Sequence, residues 1–437
     1  MQKVEPKTLS GFMELLPEEQ ILFNQIKNKI ENVYQKFGFL PIDTPIIEEA
    51  EVLLAKAGGE TEKQIYCFKK GENNLALRFD LTVPLAKYVA KNYGVLSFPF
   101  RRYQIGKVYR GERAQKGRYR EFYQCDVDVI GDGELSILND AEMPSIIYNI
   151  FKELDLGSFT ININNRKLLN GLFASLGLEK EASNILRIVD KIDKIGKEAV
   201  TEELAKTNIT EKAIDTIMSF IAIDGDNDKK LNKLKDLNIK NEIFESGLTE
   251  LTEVVNNVRA FGVPEENFTV NLCIARGLDY YTGTVYETFL NDYKELGSVC
   301  SGGRYDNLAE YYTDKKLPGA GISIGLTRLF SKLNELKIIK AEKKSIADIL
   351  VIDMGTGSTK YLELANNLRK EGINTEVFLN DKKIKAKFKY ADKLGIPYIA
   401  IIGEEELKAN QVKIKNMTTG EESLVEFKAQ AIVNYIN

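Results

Sequence analysis

From Glu18 to Phe37 apolar side chains recur at helical spacing (Ile21, Ile26, Ile30, Val33, Phe37), and Gly38 stands where a helix C-cap belongs. The stretch Phe39 to Ile47 carries Pro41 and Pro45 and reads as extended chain. Strand-like segments follow from Leu75 to Ile130, interrupted by one helix over Pro84–Tyr93 that its proline opens and Gly94 closes. Short turns join these segments, which predicts an antiparallel block rather than repeated βαβ units. From about Arg166 to Val258 the periodicity turns helical throughout, with Ile185, Val189, Ile192 and Ile195 as one run, and glycine becomes sparse. Strands return after Phe268, and glycine-rich segments run to about Leu329.

The Lys/Glu-rich stretch Lys337–Lys344 reads as a linker. Beyond it strand and helix alternate: strands over Ile349–Asp353, Asn374–Phe378 and Tyr398–Ile402, helices over Lys360–Arg369 and Lys382–Leu394. The expected fold class is therefore α+β: an antiparallel-sheet core with a helical insertion, followed by a small C-terminal α/β domain. The boundaries expected are 1–165 and 259–336 for the two parts of the core, 166–258 for the insertion and 345–437 for the last domain. A chain of 437 residues is too long for one hydrophobic core and agrees with such a division.

Composition narrows the chemistry. No apolar stretch is long enough to span a bilayer and Met1–Leu16 has no signal-peptide pattern, so a cytoplasmic location without membrane contact is expected. Cys67, Cys125, Cys273 and Cys300 are scattered without a CxxC pair and are expected as buried free thiols, with neither disulfide nor metal role. The net charge is -4, so any contact with nucleic acid must come from local patches. Most telling, the chain has no histidine. That removes Ser-His-Asp and Cys-His catalysis, HExxH zinc sites and any imidazole base. Carboxylates, arginines and substrate phosphates must carry the chemistry, which favours phosphoryl or nucleotidyl transfer.

The segment Arg101–Ile130 is the richest. Between Phe100 and Gln124 stand eight basic residues (Arg101, Arg102, Lys107, Arg110, Arg113, Lys116, Arg118, Arg120) against Glu112 and Glu121, a local net of +6. Two strand runs flank the polar loop Ala114–Gly117, so the segment reads as a long hairpin. Alternation puts Tyr123, Cys125, Val127 and Val129 on one face of its second strand and Arg120, Phe122, Gln124, Asp126 and Asp128 on the other. An upstream run repeats the pattern, Leu77, Phe79 and Leu81 against Arg78, Asp80 and Thr82. An edge strand with a solvated polar face would show the same alternation. Two such strands beside an arginine cluster point instead to a pocket for a zwitterion next to a polyphosphate. A guanidinium binds phosphate oxygens bidentately and keeps its charge. Phe122 either stacks on a nucleobase or packs in the core.

Arg110-Gly111-Glu112-Arg113, with Gly117-Arg118-Tyr119-Arg120-Glu121-Phe122-Tyr123-Gln124, resembles the second signature motif of class II aminoacyl-tRNA synthetases. Gly38-Phe39-Leu40-Pro41-Ile42-Asp43-Thr44-Pro45 resembles the first, and the run Gly319 to Leu329 the third. Arg276-Gly277-Leu278-Asp279-Tyr280-Tyr281-Thr282-Gly283 and Cys300-Ser301-Gly302-Gly303-Arg304-Tyr305-Asp306 narrow the resemblance to the histidyl-tRNA synthetase family. It covers nearly the whole chain, weakest in the insertion.

The resemblance implies an enzyme that activates histidine with ATP, with Mg²⁺ on the phosphates, loads it onto tRNA(His) and works as a homodimer. It implies that Arg110 and Arg276 act catalytically on the α-phosphate, that Glu112 and Phe122 lie near the adenine, and that Arg328 reaches the γ-phosphate. Asp80, Thr82 and Gln124 are implied to grip the α-amino group of histidine, with Leu81, Arg110 and Arg276 also among its binding residues. Asp128 and Tyr281, with Tyr280 alongside, are implied to hold the ring, and no residue is implied as a protein-borne metal ligand. Gly111 and Tyr123 stand where bacterial relatives often carry histidines. Lys382, Lys385, Lys389 and Lys393 form a stripe on the helix predicted from Lys382, either a solvated face or, in a domain resembling an anticodon-binding domain, a tRNA contact. The segment Gly355-Thr356-Gly357 reads as a turn. A regulatory paralogue that partners ATP phosphoribosyltransferase is the alternative; the intact Arg276–Gly283 segment and the C-terminal domain argue against it. A synthetase free of histidine can also be made when charged histidine tRNA is scarce, with compositional drift as the other explanation.

Overall fold

The computed structural model describes residues 3–55, 60–113, 118–189, 192–207, 209–274 and 280–436. The chain divides into two compact units, Met1–Met13 with Ile26–Ile338, and Glu14–Gln25 with Ile339–Asn437.

The first unit is built on an eight-stranded sheet in the order Leu40–Pro41, Phe100–Tyr109, Glu121–Ile130, Gly319–Gly325, Cys300–Tyr305, Thr284–Leu290, Phe159–Asn165, Phe268–Val270. The two outermost pairs are parallel and all the inner ones antiparallel, so the predicted antiparallel block holds through the middle of the sheet. The hairpin is present: Phe100–Tyr109 and Glu121–Ile130 pair over their full length, with Arg102 opposite Asp128 and Gln104 opposite Asp126. Residues 114–117 of its loop lie outside the described residues. Cys125, Val127 and Val129 are wholly buried, as expected of the apolar face. The polar alternates are buried too, so this is no edge strand with a solvated side.

Helix Pro17–Lys36 ends in a Schellman motif. Gly38 adopts φ 76°, Phe39 N–H bonds to Tyr34 O at 3.1 Å and Gly38 N–H to Gln35 O at 2.9 Å. One boundary departs from the sequence pattern. The helix predicted from Pro84 starts at Thr82, and the chain from Arg78 to Leu81 is not a strand. The reason is Asp80, whose Oδ1 accepts from the N–H groups of Thr82 at 3.2 Å and Val83 at 2.9 Å and so opens the helix two residues early.

The segment expected as an insertion is helical, with helices over Arg166–Ser175, Ala182–Val189, Ile192–Ala205, Glu211–Ile221, Asn227–Asp236 and Glu242–Ala260. Helix Leu138–Leu154 buries Met143, Ile146, Ile147 and Ile150 completely. Its Asp140 holds Arg304 of the Cys300–Tyr305 strand: Nη2 lies 2.6 Å from Oδ2 and Nε donates at 3.1 Å. Arg304 also donates to the carbonyls of Leu135 and Ser136. Among the cysteines, Cys125 and Cys300 are buried and Cys273 is half-buried, but Cys67 is exposed, which corrects the expectation of four buried thiols. Cys67 begins a short strand whose side chains all face solvent.

The second unit carries a five-stranded sheet in the order Thr375–Val377, Ile349–Asp353, Tyr398–Ile402, Gln411–Asn416, Glu422–Glu426, parallel among the first three. Strand Ile349–Asp353 is buried on both sides. Ile349 and Val351 pack with Leu364, Leu368 and Ile432, whereas Leu350 and Ile352 pack with Ala391 and Ile396. The predicted strands and helices lie within two residues of the observed ones; the last helix runs Ile384–Leu394 because Lys383 is extended, with φ -58° and ψ 145°. Lys382 therefore precedes the helix. Gly355–Gly357 is a turn closed on Asp353, whose carboxylate accepts from Gly355 and Thr356. Among the described residues no helix is long and apolar enough to cross a membrane.

Removing one member of a buried ion pair strands the other charge. Replacement Arg304→Ala is expected to destabilise the first unit by about 3–5 kcal/mol, read from its urea unfolding midpoint at unchanged m-value.

Candidate active site

On the sheet face opposite Cys125, Val127 and Val129, a cavity of about 550 Å³ opens. Strand Glu121–Ile130 lays Phe122, Gln124, Asp126 and Asp128 along its floor. The turn before helix Thr82–Asn92 adds Asp80 and Thr82, and Arg110 follows directly on strand Phe100–Tyr109. Glu112, Arg118, Tyr280, Tyr281, Tyr305, Ser323, Arg328 and Lys332 complete the lining used below.

The register of the neighbouring strand explains the space. Gly321, Ser323 and Gly325 lie opposite Asp128, Asp126 and Gln124. A Cβ on Gly321 would stand 2.1 Å from Asp128 Oδ1, and one on Gly319 2.3 Å from the Tyr305 ring. Small residues on one strand thus make room for functional side chains on the next.

One end is a run of acceptors. Gln124 donates through Nε2 to Ser323 Oγ at 2.8 Å, which turns its Oε1 free, and that oxygen has no protein partner. Asp126 Oδ1 is likewise buried without a partner. Asp128 accepts from Tyr305 OH at 2.7 Å on Oδ1, while its Oδ2 faces Arg102 Nη2 at 2.6 Å in an ion pair outside hydrogen-bond geometry. Asp80, Asp126 and Asp128 are only 5%, 2% and 3% exposed. Burial raises all three carboxyls. For Asp126 burial dominates, the Arg102 guanidinium opposes it and ionised Asp128 adds to it, so its pKa is pushed up to about 7.

The other end is cationic. The Arg110 guanidinium stacks between Phe79 and Phe122, 4.4 and 5.0 Å from their ring centroids, and donates through Nε to Phe79 O at 3.3 Å. Burial lowers its pKa, with Asp80 and Glu112 acting against that. Arg118 pairs with Glu112 at 3.4 Å, and Arg328 donates to Leu296 O. Tyr280 packs edge-on against Tyr281 and Tyr305, with centroids at 5.0 and 5.8 Å, and closes the acidic end.

Comparison with known proteins decides the family. A model described as histidyl-tRNA synthetase matches residues 11–329, and one described as anticodon binding domain matches 347–437. The chain belongs to the histidyl-tRNA synthetase family. It is 57% identical over 418 residues to the histidine--tRNA ligase of Clostridium tetani, covering 95% of each chain. The crystal structure of histidyl-tRNA synthetase from Nostoc sp. PCC 7120 superposes with a TM-score of 0.90 at 41% identity, covering 99% of both. A Bacillus halodurans C protein titled ATP phosphoribosyltransferase regulatory subunit/histidyl-tRNA synthetase shares the fold, at TM-score 0.75 and 22% identity over 92% of this chain and 99% of its own. These likenesses bear out the class II α+β core with a C-terminal anticodon-binding domain.

Of the residues singled out from this synthetase's sequence, Asp80, Thr82, Arg110, Glu112, Phe122, Gln124, Asp128, Tyr280, Tyr281 and Arg328 meet at the one cavity. Leu81 does not line it: its side chain is fully buried, and its carbonyl accepts from Arg102 Nη2 at 3.3 Å. Arg276 lies outside the described residues. Lys382, Lys385, Lys389 and Lys393 belong to the second unit and are exposed. Sequence reasoning passed over Ser323, Tyr305 and Arg102. The small-residue alternation Gly321, Ser323, Gly325 is the signal that marks the first. For Arg102, nothing in the local pattern separates it from its basic neighbours.

Asp126 carries a folded-state pKa above its unfolded value, so the folded chain holds the extra proton between about pH 4 and 7 and loses stability as pH rises across that window. Replacement Asp126→Asn is expected to raise Tm at pH 8 and to make little difference at pH 4.5, measured by thermal melts across the range.

Proposed function

We propose that this cavity is where the chain, an ATP-dependent histidine--tRNA ligase, joins histidine to AMP before passing it to the tRNA. The observation that carries the reading is the pair of buried, unpartnered acceptor oxygens on Gln124 and Asp126, beside an Asp128 carboxylate whose Oδ2 makes an ion pair but no hydrogen bond. A buried acceptor without a donor costs free energy, so this floor calls for a ligand rich in N–H groups. An α-ammonium and an imidazole supply them. Asp80, Thr82 and Gln124 hold the ammonium, and Asp128 with Tyr281 holds the ring. Arg110 and Arg276 grip the α-phosphate, Glu112 and Phe122 take the adenine, and Arg328 meets the γ-phosphate.

In the first step a histidine carboxylate oxygen bonds to the α-phosphorus and pyrophosphate leaves. Mg²⁺ enters as part of the nucleotide substrate, on its phosphates. In the second step the terminal hydroxyl of tRNA(His) attacks the adenylate carbonyl and AMP departs. Since the chain has no histidine, a phosphate oxygen of the substrate takes the hydroxyl proton. The protein's part is positioning and electrostatic stabilisation. The catalytic core comprises 1–165 and 259–336, the insertion 166–258 and the anticodon-binding domain 345–437. The enzyme works in the cytoplasm as a homodimer through the Gly38–Pro45 segment, a reading supported by exposed apolar residues at Leu40, Ile46 and Ile47.

ATP–pyrophosphate exchange across the twenty amino acids tests the reading. Exchange with histidine alone is expected; none with histidine, from a folded protein, would refute it. Asp128→Asn should cost about 1.5–3 kcal/mol in kcat/KM for histidine, the value of a hydrogen bond to a charged group. An unchanged value removes Asp128 from ring recognition.

The exposed Lys385, Lys389 and Lys393 make the tRNA contact, with Lys382 beside them. Converting those three to Glu should raise the tRNA KM and flatten its salt dependence by about 0.7–0.9 in logarithmic slope for each phosphate no longer neutralised. An unaltered slope assigns the stripe to solvent.

A further inference from the structure

Arg102 sits behind the acidic floor. It does not line the cavity and its side chain is 0% exposed. Strand pairing sets it directly opposite Asp128. Its Nη2 lies 2.6 Å from Asp128 Oδ2 and also donates to the carbonyl of Leu81 at 3.3 Å, between Asp80 and Thr82. One nitrogen thus touches both halves of the amino-acid end: the carboxylate assigned to the ring and the turn assigned to the ammonium. Nε and Nη1 are buried with no partner. A guanidinium so poorly hydrogen-bonded is a weak source of stability, since burying it costs more than one ion pair returns. Its benefit must lie in the carboxylates it faces.

We propose that Arg102 is the positioning residue of the histidine pocket, the counter-charge that holds Asp128 in place beside Asp126 and ties it to the Asp80–Thr82 turn. The inference rests on the assignment of this cavity to histidine. Arg102 acts on three carboxyls, Asp80, Asp126 and Asp128, and in each it opposes burial. The other groups acting around the pair are few. Asp80 comes from the turn, Ser323 and Tyr305 from the two neighbouring strands, and Tyr281 from the segment before Thr284–Leu290. Arg110 lies towards the nucleotide end; Cys125, Cys300 and Tyr34 feel the same charges. Gln104, opposite Asp126, spends its amide on Asp43 and Thr44. Without Arg102 the Asp128 carboxyl is left to burial with only the Tyr305 hydroxyl to oppose it, and it takes up a proton at higher pH. A protonated Asp128 loses the charge that grips the ring, so histidine use fails first on the acid side.

The test is histidine-dependent ATP–pyrophosphate exchange from pH 6 to 8.5 with Arg102→Leu and Arg102→Lys, each checked for folding by thermal melting. Arg102→Leu should raise the histidine KM about tenfold or more while the ATP KM stays within roughly twofold. Its deficit should be greatest at pH 6 and shrink towards pH 8.5. A folded Arg102→Leu with the wild-type histidine KM and pH profile overturns the proposal. So does an equal rise in both KM values that does not change with pH, which marks a purely structural role. Should Arg102→Leu not fold, Arg102→Lys decides: a raised histidine KM at unchanged ATP KM supports the proposal, and wild-type values for both reject it. Wild-type protein that fails to exchange with histidine would refute the site assignment itself, a separate result.

Discussion

Three carboxylates, Asp80, Asp126 and Asp128, lie buried within one pocket on a sheet face, and the surrounding architecture answers the electrostatic cost of keeping them there. Burial raises each of them. Arg102 opposes burial at all three, and each has a further device: Asp80 the N–H groups that open a helix, Asp128 a tyrosine hydroxyl, Asp126 a serine. At Asp126 these do not offset burial, and its pKa is pushed up to about 7. Low dielectric makes both the repulsion among these groups and their attraction for a cation larger than in water. A pocket this acidic is costly when empty and strongly attractive to an ammonium.

The sheet supplies the precision. In antiparallel pairing, residues opposite one another share a face. Arg102–Asp128–Gly321–Gly303 therefore form one row across four strands, and Gln104–Asp126–Ser323–Ser301 the next. Glycine in the first row makes depth beside Asp128, and serine in the second makes a hydrogen-bond partner for Gln124 and Asp126. A slip of one residue in any pairing would exchange these polar rows for Cys125, Val127 and Val129. Arg304 on Asp140 fixes one of the four strands to a buried helix, which keeps the register from a distance.

Much of this is legible in the sequence because alternation and helical spacing are local properties. The hairpin, the two faces of Glu121–Ile130 and the strands and helices between Ile349 and Ile402 follow from periodicity alone, whereas strands Gln411–Asn416 and Glu422–Glu426 are not read from it. Asp80 and Thr82 are grouped with the site through a strand that does not exist. Their grouping holds nonetheless, because a capping carboxylate and the first residue of its helix also stay together in space. What periodicity does not carry is long-range. The partnership of Arg102 with Asp128 depends on hairpin register, and that of Gln124 with Ser323 joins residues 199 apart in sequence. The basic cluster yields a correct local charge but no means of telling the buried Arg102 from Arg118, whose side chain is 64% exposed.

Charge is graded along the cavity, and the grading takes the place that a histidine side chain often fills elsewhere. Carboxylates gather at one end and Arg110, Arg118, Arg328 and Lys332 at the other. On the proposed reading, a zwitterionic amino acid entering this field turns its ammonium to the acidic end and its carboxylate to the basic one, where the polyphosphate would lie. Two anions must then meet, and bringing a carboxylate to a phosphate is opposed by their like charge. Arg110 stands at the boundary, its field coupled to Asp80 on one side and Glu112 on the other. A guanidinium there neutralises the repulsion without exchanging a proton. For such a step the chain needs no imidazole base, since orientation and fixed charge bring the carboxylate to the phosphorus. The field that excludes a free anion from the acidic end is the same one that aims the carboxylate of a bound zwitterion at its target.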